Sequence, residues 1–351
     1  MNKCLLIYHK EDNDGVISAA LLYDWINKEL KVDVKNIDLL PADYNILNKF
    51  SKVYDQDNLC ELHEKYDTII MCDISFNNMN FMHDLYQEFK ESLIWFDHHA
   101  PVIKASYQYK FGNCPGIRNT NKSTILCIWE YLYDQFNLDY KDKKVPELLR
   151  ILSAWDSWSY EREGYDFEYV RNINKGITDM YSLDIFNVLN DIDKFIDNNL
   201  ELIDKAEERG QLLNEYDDKN NSILIENYGD ISWKIITDEK EYDDAHGHWG
   251  PTFRTACALF IQGPSNSKMF KSLIKGDKDD IMNGIVFKHN NDSTWTISLY
   301  NIRDNEPDVS IGGFHCGDFL RKKYNGGGHS GAAGCTVDEK TFIKILKNKS
   351  L

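Results

Sequence analysis

The chain has 351 residues, 42% of them hydrophobic and 13% aromatic; this excludes intrinsic disorder and exceeds what one core usually holds, so two folded domains are expected. Its 57 acidic against 40 basic residues give a formal charge of -17, which argues against a long nucleic acid and for a short oligonucleotide or nucleotide as the phosphate-bearing partner. The apolar run near the start is too short for a signal peptide or a membrane span, and no CxxC pair occurs among eight cysteines, so a cytoplasmic protein with no membrane partner is expected.

In chain order, the residues up to His9 read as a short buried strand, and Val16 to Leu30, apolar at 16, 17, 21, 22, 25, 26 and 30, reads as a helix. Between them lies the acidic loop His9-Lys10-Glu11-Asp12-Asn13-Asp14-Gly15. Two further apolar runs each end in a carboxylate, Thr68 to Asp73 and Ser92 to Asp97. In an open parallel sheet the ligand site lies at the carboxyl ends of the strands, so three such ends can converge on one crevice. Helical patterns follow at Ser123 to Phe136 and at Val145 to Ser157, the second carrying Asp156.

A long polar helical stretch over 183–215 reads as a linker between a domain of residues 1–182 and one of residues 216–351. Beyond it, Ser222 to Glu226, Ile231 to Thr237, Gly284 to Lys288 and Thr294 to Tyr300 read as strands. The expected fold class is α/β, with a parallel-sheet N-terminal domain joined by that linker to a smaller α/β C-terminal domain. Cys4, Cys72, Cys127 and Cys257 lie in apolar surroundings and are expected as buried free thiols.

A single strand-end Asp is usually a turn former. The combination of Asp12, Asp14, Asp73, Asp97 and Asp156 with His9, His98 and His99 is different, because carboxylates gathered in one crevice repel one another unless cations neutralise them. Ligation by carboxylate and imidazole without thiolate suits manganese, with magnesium and cobalt as the alternatives, better than a structural zinc. Two divalent ions sharing a carboxylate, about 3.5–4 Å apart, activate water and stabilise in-line displacement at phosphorus.

Asp97-His98-His99, after the apolar run Leu-Ile-Trp-Phe, resembles the signature of the DHH phosphoesterases, and His9-Lys-Glu-Asp12-Asn-Asp14-Gly15, Asp73 and Asp156 fall in order at its other motif positions. Downstream, Asn325-Gly326-Gly327-Gly328-His329-Ser-Gly-Ala-Ala-Gly334 resembles the glycine-rich signature of the DHH-associated C-terminal domain of RecJ-like exonucleases and nanoRNases. The resemblance implies that His9 and Asp12 bind one metal, Asp14, His98 and Asp156 the other, and that Asp73 bridges them. It implies Asp97 as the partner that fixes a histidine tautomer, and His99 as the catalytic contact to the scissile phosphate or leaving oxygen.

For the substrate, it implies Gly326, Gly327, Gly328 and His329. Relatives carry an arginine near Tyr300, for which Arg303 stands nearest. Ser123 reads first as a helix cap and second as a phosphate contact. His246 and His248 read as surface or packing residues. The expected activity is hydrolysis of short oligonucleotides or small nucleotides by a monomer or homodimer. A RecJ-like exonuclease on long single strands and a non-hydrolytic nucleotide-binding regulatory module are the alternatives.

Overall fold

The computed structural model describes residues 3–54, 58–135, 144–197, 199–243, 248–261, 267–270, 281–290, 292–302, 314–328 and 331–351. The chain divides into two compact units, Met1–Asn214 and Glu215–Leu351. No helix among the described residues is long and apolar enough to cross a membrane.

The first unit is built on four parallel strands, β1 (Cys4–His9), β2 (Ile37–Ala42), β3 (Thr68–Cys72) and β4 (Leu93–Phe96), in the order β2-β1-β3-β4. Side chains alternate across a strand, so one sheet serves two cores. Leu6, Tyr8, Ile70, Cys72 and Phe96 face one, with helix α1 (Asn13–Lys28); Leu5, Ile7, Ile69, Met71 and Trp95 face the other. Each fully buried Leu or Ile contributes roughly 1.5–3 kcal/mol. With α1, helices α2 (Tyr44–Val53), α3 (Leu59–Lys65) and α4 (Met79–Phe89) connect the strands, and α5 (Ala100–Gln108), α6 (Thr124–Gln135) and α7 (Glu147–Asp156) follow.

The stretch read as a solvated linker forms several helices. After α8 (Phe167–Tyr181) come α9 (Ile185–Asn190), α10 (Ile192–Ile196) and α11 (Leu200–Tyr228). Ile185, Val188, Ile192, Phe195, Leu202, Ile203 and Ala206 are buried in the core that also holds Val16 and Leu6. Their spacing puts them on one face, while the charged residues that suggested a connector occupy the other. Glycines let α8 and α11 come close: a Cβ on Gly176 would meet the Ala206 carbonyl oxygen at 1.9 Å, and one on Gly210 that of Asn172 at 1.8 Å.

Ser222 to Glu226 is no strand. It lies within α11, where Ile225 is buried and Ile223 is exposed. A helix already docked upstream extends at little cost through a short apolar run, whatever that run's own preference for strand.

The second unit is a mixed sheet in the order β5-β6-β7-β8-β10-β9. Its strands are β5 (Asp230–Asp243), β6 (His248–Phe260), β7 (Ile281–His289), β8 (Thr294–Asn301), β9 (Gly327–Gly328) and β10 (Ala332–Asp338), and the β6–β7 pair is parallel. Helices α12 (Cys316–Tyr324) and α13 (Glu339–Asn348) cover one face through Leu320, Phe342 and Ile345. Ile225, Met269 and Phe270 pack on the other. All eight cysteines are free and seven are buried, the four expected ones among them.

Candidate metal centre

The strand register decides where the chemistry sits. Tyr8 pairs with Cys72 and Cys72 with Phe96. The next residue of each strand is therefore His9, Asp73 and Asp97, one row across the carboxyl ends of three adjacent strands. Asp12 caps α1, its Oδ1 accepting from the Gly15 N–H at 2.9 Å, and Asp14 lies in the first turn. Asp156 is the last residue of α7.

Asp73 has φ +57°, a left-handed backbone that Asp and Asn tolerate better than most residues. Its N–H donates to the Phe96 carbonyl at 3.0 Å. Its two carboxylate oxygens face two histidines: Oδ2 is 3.4 Å from His9 Nδ1, and Oδ1 is 3.4 Å from His98 Nε2. His9 Nδ1 also lies 2.9 Å from Asp12 Oδ2, and His98 Nε2 lies 3.0 Å from Asp156 Oδ2 and 3.8 Å from Asp14 Oδ2.

Three ligand groups result: His9–Asp12–Asp73, Asp14–His98–Asp156 and Asp73–His98–His99, in each of which one donor atom per residue lies within 4.8 Å of the others. His9 Nδ1 and Asp156 Oδ2 are buried, yet among the described residues neither makes a hydrogen bond of acceptable geometry. Polar atoms that converge this closely without hydrogen-bonding are arranged as ligands around a cation, and the oxygen and nitrogen donor set fits a hard or borderline divalent ion.

The electrostatics describe the same conflict. Burial disfavours a charged His9, but Asp12 and Asp73 outweigh it and hold its pKa up at about 11. Burial likewise opposes charge on His98, while Asp156 and Asp73 raise it to about 12. The Asp14 carboxyl is pushed well above the usual range by burial and by Asp73 and Asp156. Asp156 is also raised, by burial first. Asp73 goes the other way: burial pushes up, and the close approach of His9 and His98 to its two oxygens pulls it below the usual range. Among the described residues, protons on the imidazoles are the positive charge these acids find close by, and a metal ion would replace them.

Asp97, fully buried, accepts from Trp95 Nε1 at 3.1 Å and from the His99 N–H at 2.8 Å, and its Oδ1 faces His99 Nδ1 at 2.8 Å. The histidine whose ring it fixes is thus His99, whereas His98 addresses Asp14, Asp73 and Asp156. Thr124 was not singled out in the sequence. Its N–H and that of Ile125 donate to the Asp14 carboxylate at 2.9 and 2.8 Å, and its hydroxyl donates to Asp73 Oδ1 at 3.0 Å. The start of α6 therefore orients two of the acids. Ser123 is fully buried, with its N–H on Ser153 Oγ at 3.1 Å and no partner for its hydroxyl among the described residues.

In the second unit, Gly327 and Gly328 pair with Gly334 and Ala333. Gly328 has φ +137°, and a Cβ there would meet Ala333 Cα at 2.5 Å; one on Gly326 would meet the Gly334 carbonyl oxygen at 2.5 Å. Close backbone packing thus requires those two, whereas a Cβ on Gly327 meets nothing within 4 Å among the described residues. Arg303, His329, His246 and the side chain of His248 lie outside the described residues. Beside Tyr300 stands another arginine that the sequence did not single out. Arg254 donates from Nε to Asn283 Oδ1 at 2.8 Å and from Nη2 to Asn301 Oδ1 at 3.3 Å, and the Asn301 N–H donates to the Gly331 carbonyl.

Among curated proteins nothing matches. Solved structures that resemble the chain include a pGpG-specific phosphodiesterase from Vibrio cholerae, at 15% identity over 99% of this chain and 97% of that one, with a TM-score of 0.46. An exopolyphosphatase-related protein from Bacteroides fragilis gives 15%, 99%, 91% and 0.48. RecJ in complex with Mn2+ from Thermus thermophilus gives 13%, 99%, 51% and 0.49. Residues 3–154 match the DHH family, N-terminal domain, and that stretch includes every residue of the site except Asp156. The first unit of the chain therefore carries a DHH-family N-terminal domain.

Proposed function

We propose that the chain hydrolyses phosphodiester bonds of short oligonucleotides or small nucleotides in the cytoplasm, using two divalent ions, manganese foremost. One would be held by His9 and Asp12, the other by Asp14, His98 and Asp156, with Asp73 between them. The observation that carries this reading is the split of the Asp73 carboxylate, one oxygen toward each histidine. Bound there, the ions supply Lewis acidity toward the phosphate and activate water.

The protein's own part is positioning. Asp97 occupies Nδ1 of His99, which leaves Nε2 to reach a phosphate or leaving oxygen. Burial works against charge on His99, but hydrogen bonding to Asp97 raises its pKa and so favours the protonated ring. Gly327, with open space around it, is assigned to a second phosphate of the substrate.

A panel of dinucleotides, 3′-phosphoadenosine 5′-phosphate, cyclic dinucleotides, long single strands and pyrophosphate, assayed with manganese and with chelator, tests the reading. Turnover of dinucleotides that chelator abolishes is expected; preference for long strands would overturn the substrate class. Gly327→Val should raise KM for a dinucleotide roughly tenfold, the cost of one or two lost charge-assisted hydrogen bonds. Unchanged KM would remove this glycine from the substrate site.

Metal uptake should depend steeply on pH. His9 and His98, with pKa values raised to about 11 and 12, carry protons at neutrality that a metal must expel. Affinity should therefore rise with pH, by about tenfold per unit for each proton released. Calorimetry in two buffers of different ionisation enthalpy measures that release, and manganese binding without proton release would exclude both imidazoles as ligands.

A further inference from the structure

Two residues beyond Asp156, the backbone does something that bulky side chains rarely allow. Trp158 has φ +54°. It closes α7 in the position usually given to glycine: its N–H donates to the Trp155 carbonyl at 3.3 Å and that of Ser159 to the Ala154 carbonyl at 3.0 Å, the paired bonds of a Schellman cap. Glycine would adopt this backbone without strain, whereas a β-carbon is penalised there. The ring gains little burial in return, for Trp158 is 46% exposed.

What the indole does have is a neighbour. It stacks on Trp155, ring centroids 6.1 Å apart and planes at 23°. Trp155 in turn is braced by Phe167 at 5.8 Å, and Phe167 by Tyr160 at 5.3 Å. Trp155 also lines a cavity of about 110 Å³ whose other walls include Asp12, Asp14 and Asp156. The aromatic tier therefore starts at the wall of the acidic centre and ends in an exposed indole. A strained residue that the fold does not need for packing points to use by a ligand.

We propose that Trp158, braced by Trp155, is a stacking surface for a nucleobase of the substrate whose phosphate occupies the acidic centre. This rests on the reading of the chain as a phosphodiesterase of nucleotides. The ligand is a base rather than a generic apolar group because the centre beside it selects for phosphate, and a nucleotide carries a flat π-face within one residue's length of its phosphate. Stacking of this kind tolerates any base.

The experiment uses the full chain with manganese and compares a dinucleotide with its abasic analogue, for binding and for turnover. The wild-type protein is expected to bind the dinucleotide roughly tenfold more tightly than the analogue. In Trp158→Gly that ratio should collapse toward one, and Trp158→Phe should restore most of it. The glycine variant should melt no lower than wild type, because glycine relieves the backbone strain. An unchanged ratio in Trp158→Gly, in a wild-type protein that cleaves the dinucleotide, overturns the platform and leaves the phosphodiesterase standing. A lost ratio that Trp158→Phe does not recover, with a lowered melting temperature in both variants, also overturns it, as a structural role would give that. Binding with the expected ratios but no cleavage sustains the platform and sinks the hydrolase reading.

Discussion

Asp73→Asn should lower metal-dependent turnover by at least about 10³-fold while the circular-dichroism spectrum stays that of the native fold. Asparagine is the informative replacement because it tolerates the φ of +57° at this position, so that the charge and one acceptor oxygen are lost while the backbone is kept. Asp73 is also the residue that faces both His9 and His98, and its carboxyl titrates below the usual range because those two rings outweigh its burial. Removing it should weaken both metal positions at once. A stoichiometry of bound manganese that drops by one ion only, with turnover above a tenth of normal, would show that the two positions do not share this carboxylate.

Gly15→Ala should also lower turnover strongly, without replacing any ligand. A Cβ there would stand 2.1 Å from the His9 carbonyl oxygen and 2.6 Å from the His9 Cβ. Neither the end of β1 nor the first turn of α1 can yield separately, since Asp12 Oδ1 is tied to the Gly15 N–H. The loop must move as a body and take His9, Asp12 and Asp14 with it. A displacement near 1 Å costs on the order of 10²-fold in rate, and the overpacking roughly 1–3 kcal/mol in stability. Titration of manganese together with a thermal melt checks both, and a variant with normal values in each would mean that the loop relaxes without moving its ligands.

Much of the centre was legible in the sequence because it is local. Strand ends and an acidic loop name His9, Asp12, Asp14, Asp73 and Asp97, the Asp-His-His motif adds His98 and a helix end adds Asp156, and the parallel register aligns His9, Asp73 and Asp97. Thr124 was hidden because its part is played by backbone geometry at a helix start, 110 and 51 residues away in sequence from Asp14 and Asp73. The pairing of Asp97 with His99 rather than His98 is a matter of ring orientation, which no spacing encodes. The helical character of the stretch after Tyr181 was legible, but its polar composition concealed that it packs into the core, because its apolar face is sparse but regular. The strand read at Ser222 to Glu226 failed for the converse reason: a short apolar run carries no period of its own, and α11 imposes one.

The close crossing of α8 and α11 has a consequence for how the chain is born. The last strand of the first sheet ends at Phe96, yet the core on one face of that sheet is completed only by Leu202, Ile203 and Ala206. At ribosomal speeds of about 5–20 residues per second, roughly 5–20 s separate the synthesis of the sheet from that of these residues. During that interval the face lined by Leu6, Ile70 and Phe96 is covered by α1 and then by α6 and α7, but lacks its last layer. That core is complete only once Gly210 has emerged and α11 can settle against α8.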